Sequence, residues 1–106
     1  FQAIQHKLAD MRIRTEAARW LTYYSAWSVD HREDDLTMLA SMAKEFASRV
    51  ATDVADEAVQ TYGGAGFVND FDVERFYRDA KITQIYEGTT EIQKTIVARE
   101  MLAKGY

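Results

Sequence analysis

The chain has 106 residues, 47% hydrophobic and 28% charged, enough apolar material for one core and too little length for two, so residues 1–106 are read as one domain. A formal net charge of -4, with no Lys and Arg run interleaved with aromatics, argues against nucleic acid as a partner. The absence of cysteine excludes a disulfide framework and a thiolate metal site, and no apolar run approaches the roughly 20 residues that span a bilayer, so a soluble chain in a reducing interior is expected.

There is no proline, and only five glycines interrupt a sequence rich in Ala, Leu, Met, Glu, Lys and Arg, which predicts an all-α fold. The chain opens in a helical pattern with neither an initiator Met nor a capping residue, so further sequence upstream is expected. A first long helix runs from Phe1 to about Val29, its apolar stripe drawn through Phe1, Ile4, Leu8, Met11, Ile13, Ala17, Trp20, Tyr24 and Trp27. The polar run Asp30 to Asp35 is a turn that offers acidic N-cap and first-turn residues to the next helix. From Leu36 to Tyr62 the stripe is Leu39, Ala43, Phe46, Val50, Val54 and Ala58, flanked by Ala40, Ala47, Ala51 and Ala55, and small residues there allow close approach of a central helix to its neighbours.

That helix stops at Gly63-Gly64-Ala65-Gly66, where glycine can take the left-handed conformation. A short helix begins near Asp70 or Asp72 and runs to Ile82. Gln84 to Gly88 should be irregular, and Thr90-Glu91-Ile92-Gln93 matches a capping box opening a last helix that carries Ile92, Ile96, Val97, Met101 and Leu102. Long helices joined by short turns predict an up-and-down helical bundle.

Several chemistries fail on these residues. His6 and His31 have Ala3 and Ser28 three positions earlier, so no Glu-x-x-His metal motif exists, and both read as surface or helix-end residues; no metal is expected. Nucleophilic catalysis has neither a cysteine nor a Gly-x-Ser-x-Gly turn to work with. Two segments remain. The turn from Gln60 to Phe67 exposes backbone that a large ligand could approach, although by itself it reads as a helix stop. Glu87 stands in a non-helical joint between Ile85-Tyr86 and Gly88, where a carboxylate could face a pocket and be desolvated, although local context alone fits a solvated side chain as well.

Order and spacing add what each segment lacks. Phe1-Gln2-Ala3-Ile4-Gln5, Met42-Ala43-Lys44, Gln60 through Phe67, Val73-Glu74-Arg75 with Arg78-Asp79-Ala80-Lys81-Ile82, and Ile85-Tyr86-Glu87-Gly88-Thr89-Thr90-Glu91-Ile92-Gln93 together resemble the C-terminal helical domain of the acyl-CoA dehydrogenases over nearly the whole chain. The resemblance implies FAD as cofactor and oxidation of an acyl-CoA thioester to its trans-2-enoyl product. It implies Glu87 as the base that removes the α-proton, with the Glu87 amide binding the thioester carbonyl and Gly88 beside the acyl-CoA. Flavin contacts are implied at Gln2, Gln60, Thr61, Tyr62, Gly63, Gly64, Thr89, Thr90 and Glu91, shared between subunits of a homodimer or homotetramer. Electron-transfer flavoprotein as redox partner, a bacterial cytoplasm or mitochondrial matrix, β-oxidation as setting, and inactivity of the chain on its own follow from the same resemblance. Arg75, Arg78 and Asp79 read as structural ion pairs. One departure is Asp72, where many members carry proline, which bears on the start of the short helix. A non-catalytic oligomerisation or flavin-clamping module and an acyl-CoA oxidase relative are the competing readings.

Overall fold

The computed structural model describes residues 1–31 and 33–106, and Arg32, within the expected 30–35 turn, lies outside the described residues. Every described element is helical: α1 (Gln2–His31), α2 (Leu36–Tyr62), α3 (Gly64–Phe67), α4 (Val73–Ile82) and α5 (Thr90–Lys104). The all-α expectation holds, and α3 is an added single turn where only a glycine stop was read. Helix α4 begins after Asp72, one of the two starts considered.

Helix α2 is the spine against which all the others pack. Ion pairs Lys7–Glu57 and Arg14–Asp53 set α1 antiparallel to it. On the other side, Lys94–Glu45 and Lys104–Asp35 set α5 antiparallel to the first half of α2, while α4 runs back along the second half toward Lys44. Helices α1 and α5 border a common groove floored by Met42, Glu45, Phe46 and Arg49 of α2, without a Cα approach within 8 Å among the described residues.

The face that α1 turns to α2 differs from the stripe read from its large residues. Lys7, Met11, Arg14, Ala18, Leu21, Ser25 and Ser28, buried or half-buried, follow one another in alternating steps of four and three, the spacing of a coiled-coil seam, and Thr15 and Glu16 beside Arg14 are half-buried as well. The expected stripe through Ile13, Ala17, Trp20, Tyr24 and Trp27 is displaced from this seam by one residue, about 100° around the helix. Trp20 is accordingly 64% exposed and Trp27 46%, whereas Ser28 is fully enclosed. The seam selects small residues because helix axes meet there, and Ser28 satisfies its own hydroxyl by donating to the Tyr24 carbonyl at 2.9 Å.

The apolar core is correspondingly thin, consisting of Ala18, Met38, Leu39, Ala43, Val50 and Ala55, all but Ala18 on α2. The radius of gyration is 16.2 Å, against about 13 Å for a compact domain of this length, so the described residues form an elongated slab. Asp35 occupies the N-cap position of α2 without capping it. Its carboxylate instead accepts from Lys104 Nζ at 2.6 Å and the Tyr106 hydroxyl at 3.4 Å, tying the end of α5 to the start of α2. The Lys104 hydrogen bond holds the Asp35 carboxyl below its ordinary value, and Asp35 holds the Lys104 ammonium above its own. No helix is long and apolar enough to cross a membrane among the described residues.

Candidate functional site

The segment between α4 and α5 is irregular, as its sequence predicts, but it is closely tied. Amides of Ile85 and Tyr86 both donate to the Ile82 carbonyl, at 3.0 and 3.1 Å, rounding off α4. The amide and hydroxyl of Thr90 both reach the Gln84 carbonyl, at 3.0 and 3.5 Å, closing the loop. Thr89, one residue before the expected capping position, is the N-cap of α5, its hydroxyl accepting from the Ile92 amide at 3.3 Å. Thr90 is already engaged with Gln84, which is why the cap falls to its neighbour.

The largest contribution comes from another helix. The ammonium of Lys44 on α2 donates to the carbonyls of Thr83 at 2.6 Å, Tyr86 at 3.0 Å and Gly88 at 2.6 Å, using all three of its protons. The buried Gln93 side chain adds a longer bond to the Gly88 carbonyl at 3.4 Å. Sequence reasoning placed Lys44 in a family-like motif without giving it a task. The available signal was its position in the row Ala40, Lys44, Ala47, Ala51, where a single cation interrupts small residues at helical spacing.

Held in this way, Glu87 adopts a left-handed backbone with φ of 52°, alone among the described non-glycine residues. Such a conformation costs about 1–3 kcal/mol and persists only where its surroundings impose it. Gly88 follows with φ of 97°, and a Cβ there would collide with the Gln93 side-chain amide. The Glu87 side chain is exposed and lines none of the five main clefts among the described residues, so the enclosing pocket envisaged from sequence is not formed by these residues alone. The amides of Glu87, Gly88 and Thr89 donate to no protein acceptor among the described residues. Beside them, Lys81, Gln84, Ile85, Thr89, Thr90 and Glu91 line a shallow hollow of about 260 Å³, which gathers three of the expected flavin contacts.

The remaining expected contacts lie at the C-terminal end of the spine. The Lys7–Glu57 pair, at 3.3 Å, brings the start of α1 beside the end of α2, so exposed Gln2 and the segment Gln60 to Gly64 share one end of the molecule. Thr61 turns its hydroxyl back to the Glu57 carbonyl at 2.7 Å, while the Tyr62 ring is 6.3 Å from that of Phe71. Gly63 has φ of 67° and ψ of -143°, a conformation essentially confined to glycine. A Cβ on Gly64 would meet nothing within 4 Å, leaving its backbone open to a ligand; the crowded glycine of this turn is Gly66, where a Cβ would lie 2.7 Å from the Val59 carbonyl oxygen. Sixteen residues of helix separate Lys44 from Gln60, roughly 24 Å, so the chain holds its two groups of candidate residues apart. Between them, α2, α3 and α4 enclose an open cleft of about 710 Å³ with Val59, Phe67, Tyr77, Ile82 and Ile85 on its walls.

Residues 1–102 match the family model described as acyl-CoA dehydrogenase, C-terminal domain, and the chain belongs to the acyl-CoA dehydrogenase family. It is 52% identical over 101 residues to an acyl-CoA dehydrogenase of Bacillus subtilis, covering 95% of this chain and 26% of that protein. Among solved structures, the butyryl-CoA dehydrogenase of Megasphaera elsdenii superposes with a TM-score of 0.93 at 47% identity, over 96% of this chain and 26% of that one. An FAD complex of PigA superposes with a TM-score of 0.91 at 30% identity, covering 98% of this chain and 27% of that one. The chain thus spans about a quarter of the length of the relatives it matches.

Proposed function

We propose that these 106 residues act as the C-terminal domain of an FAD-dependent acyl-CoA dehydrogenase, in which Glu87 removes the α-proton of an acyl-CoA thioester. The observation that carries the reading is the left-handed Glu87, held in a strained conformation beside unpaired amides by a lysine from another helix. The conformation leaves an exposed carboxylate and an unpaired amide side by side on the outside of the loop. The Glu87 amide donates to the thioester carbonyl, where negative charge develops as the α-proton leaves, and Gly88 leaves room for the acyl chain beside it.

Bound FAD supplies the acceptor for the β-hydride. The backbone at Gly63 and Gly64 is open to a ligand, and the hollow at Thr89, Thr90 and Glu91 offers polar groups, so the residues present suit such a cofactor. The two groups stand apart along α2, one beside Lys44 and Glu45 and the other at Gln60 to Gly64, and we assign them to flavin sites completed by different subunits of a homodimer or homotetramer. Electron-transfer flavoprotein is the partner proposed to reoxidise the enzyme. The uncovered side chains Trp20, Tyr23, Tyr24 and Trp27 accord with a domain that meets other parts of a larger assembly.

Glu87→Gln in the full-length dehydrogenase tests the assignment, because it keeps size and hydrogen-bonding shape but removes the proton acceptor. Flavin content and acyl-CoA binding should stay near normal, while anaerobic stopped-flow reduction of the flavin slows by about a hundredfold or more. Reduction at the wild-type rate with any acyl-CoA length would remove Glu87 from the role. The isolated 106 residues should be strongly helical and hold flavin poorly, and a stoichiometric yellow complex would contradict the need for other domains.

A further inference from the structure

The peptide that joins Tyr86 to Glu87 carries both the carbonyl that Lys44 captures and the amide assigned to the thioester. No described peptide bond is cis, and in a planar trans peptide the C=O and N–H vectors point in opposite directions. With the Tyr86 carbonyl turned toward Lys44 on α2, the Glu87 N–H must point away from the spine, into the space where no protein acceptor meets it. The same logic applies at Gly88, whose carbonyl faces Lys44 and whose peptide partner, the Thr89 N–H, is likewise directed outward. A charge-assisted bond at one end of a peptide also strengthens donation at the other, by about 10–30% per bond.

We propose that Lys44 is a positioning residue for the dehydrogenation: its ammonium fixes and polarises the Tyr86–Glu87 peptide, so that the Glu87 amide is a preorganised donor to the substrate carbonyl. This rests on the reading of Glu87 given above. Lys44 itself stays behind the loop and touches no substrate. Losing the ammonium would free the peptide to rotate, and donation would weaken most where charge develops, so the limiting rate of reduction should suffer more than acyl-CoA affinity.

The test uses full-length, flavin-loaded enzyme with Lys44→Cys, before and after alkylation with bromoethylamine, which rebuilds an ammonium of lysine length; this domain contributes no cysteine of its own. Two quantities are read: the limiting rate of anaerobic flavin reduction by acyl-CoA, and the carbonyl carbon chemical shift of bound [1-13C]acetyl-CoA, which has no β-hydrogen and cannot be oxidised. Lys44→Cys should slow reduction by about tenfold to a hundredfold, somewhat less than outright loss of an oxyanion donor. It should also diminish the downfield shift of the bound carbonyl, and aminoethylation should restore both. Wild-type rate and shift in the unmodified variant overturn the proposal, as does failure of aminoethylation to restore a folded, flavin-loaded enzyme. Should Lys44→Cys not retain flavin, Lys44→Gln keeps a neutral donor in place, and wild-type values there overturn it equally. Glu87→Gln run alongside separates the two ideas. If that variant reduces normally, the base assignment falls while the carbon shift, which needs no proton transfer, still decides the role of Lys44.

Discussion

The two joints of this chain, at Gly63 to Phe67 and at Thr83 to Thr89, both contain positive-φ residues and are built on opposite principles. The first is local. Gly63 takes a conformation that only glycine takes easily, and its amide returns to the Val59 and Gln60 carbonyls at 3.1 Å, within the helix it ends. The second is imposed from a distance. Glu87 occupies a backbone region suited to glycine because Lys44, more than forty residues earlier, gathers three carbonyls around one ammonium. A joint that serves only to turn the chain needs no outside help; one that keeps a carboxylate where glycine would be easier requires an external clamp.

Substitution at each joint should break this contrast in a graded way. The largest loss is expected for Gly66→Val, whose Cβ would lie 2.7 Å from the Val59 carbonyl oxygen and 2.8 Å from the Tyr62 Cβ, atoms that cannot swing aside. Urea unfolding followed by circular dichroism should record a destabilisation of about 3 kcal/mol. Lys44→Met takes the ammonium from three carbonyls at once, leaving only Gly88 with a second, longer bond from Gln93, and should cost about 2 kcal/mol, with faster amide exchange concentrated in residues 83–90. The sharpest comparison pairs Gly63→Ala with Glu87→Gly. The first should lose about 1–2 kcal/mol and the second should stay within about 1 kcal/mol of wild type, on the more stable side, because one creates left-handed strain and the other relieves it.

The smallest effect belongs to the tie at the far end of α5. Asp35 is held below its ordinary carboxyl value by Lys104, so its stabilisation is present above about pH 3.8 and is lost as pH falls through the lowered value. Lys104 is held above its own ordinary value, so its contribution is present below about pH 10.5 and is lost as pH rises through the raised value. Lys104→Met should lower the melting temperature only slightly at neutral pH, since the pair is solvated, and should flatten both the acid and the alkaline limb of the stability profile.

What could be read from sequence divides along the same line between local and distant causes. Helix extents, the irregular 84–88 joint and the stop at Gly63 follow from breakers and periodicity inside short windows, and the structure has them. The seam of α1 was hidden because Trp20, Tyr24 and Trp27 form the more apolar stripe, whereas the contact with α2 requires small residues such as Ala18, Ser25 and Ser28. The cap at Thr89 in place of Thr90 depends on a bond to Gln84 across the loop, and the clamp at Lys44 depends on which face of α2 the loop lands upon. Neither is a property of a window of sequence. Glu87 could be singled out from its neighbours and from the family-like motif, but its left-handed backbone could not.

Because α2 runs unbroken from the Lys44 clamp to the Gln60–Gly64 end, it works as a graduated ruler as well as a packing element. Each residue of that helix adds about 1.5 Å of length and 100° of rotation. Removing one residue between positions 45 and 59 would leave both ends chemically intact, yet turn one through more than a quarter of a revolution relative to the other. Sequence length in that interval is therefore as much a determinant of the site as any side chain in it.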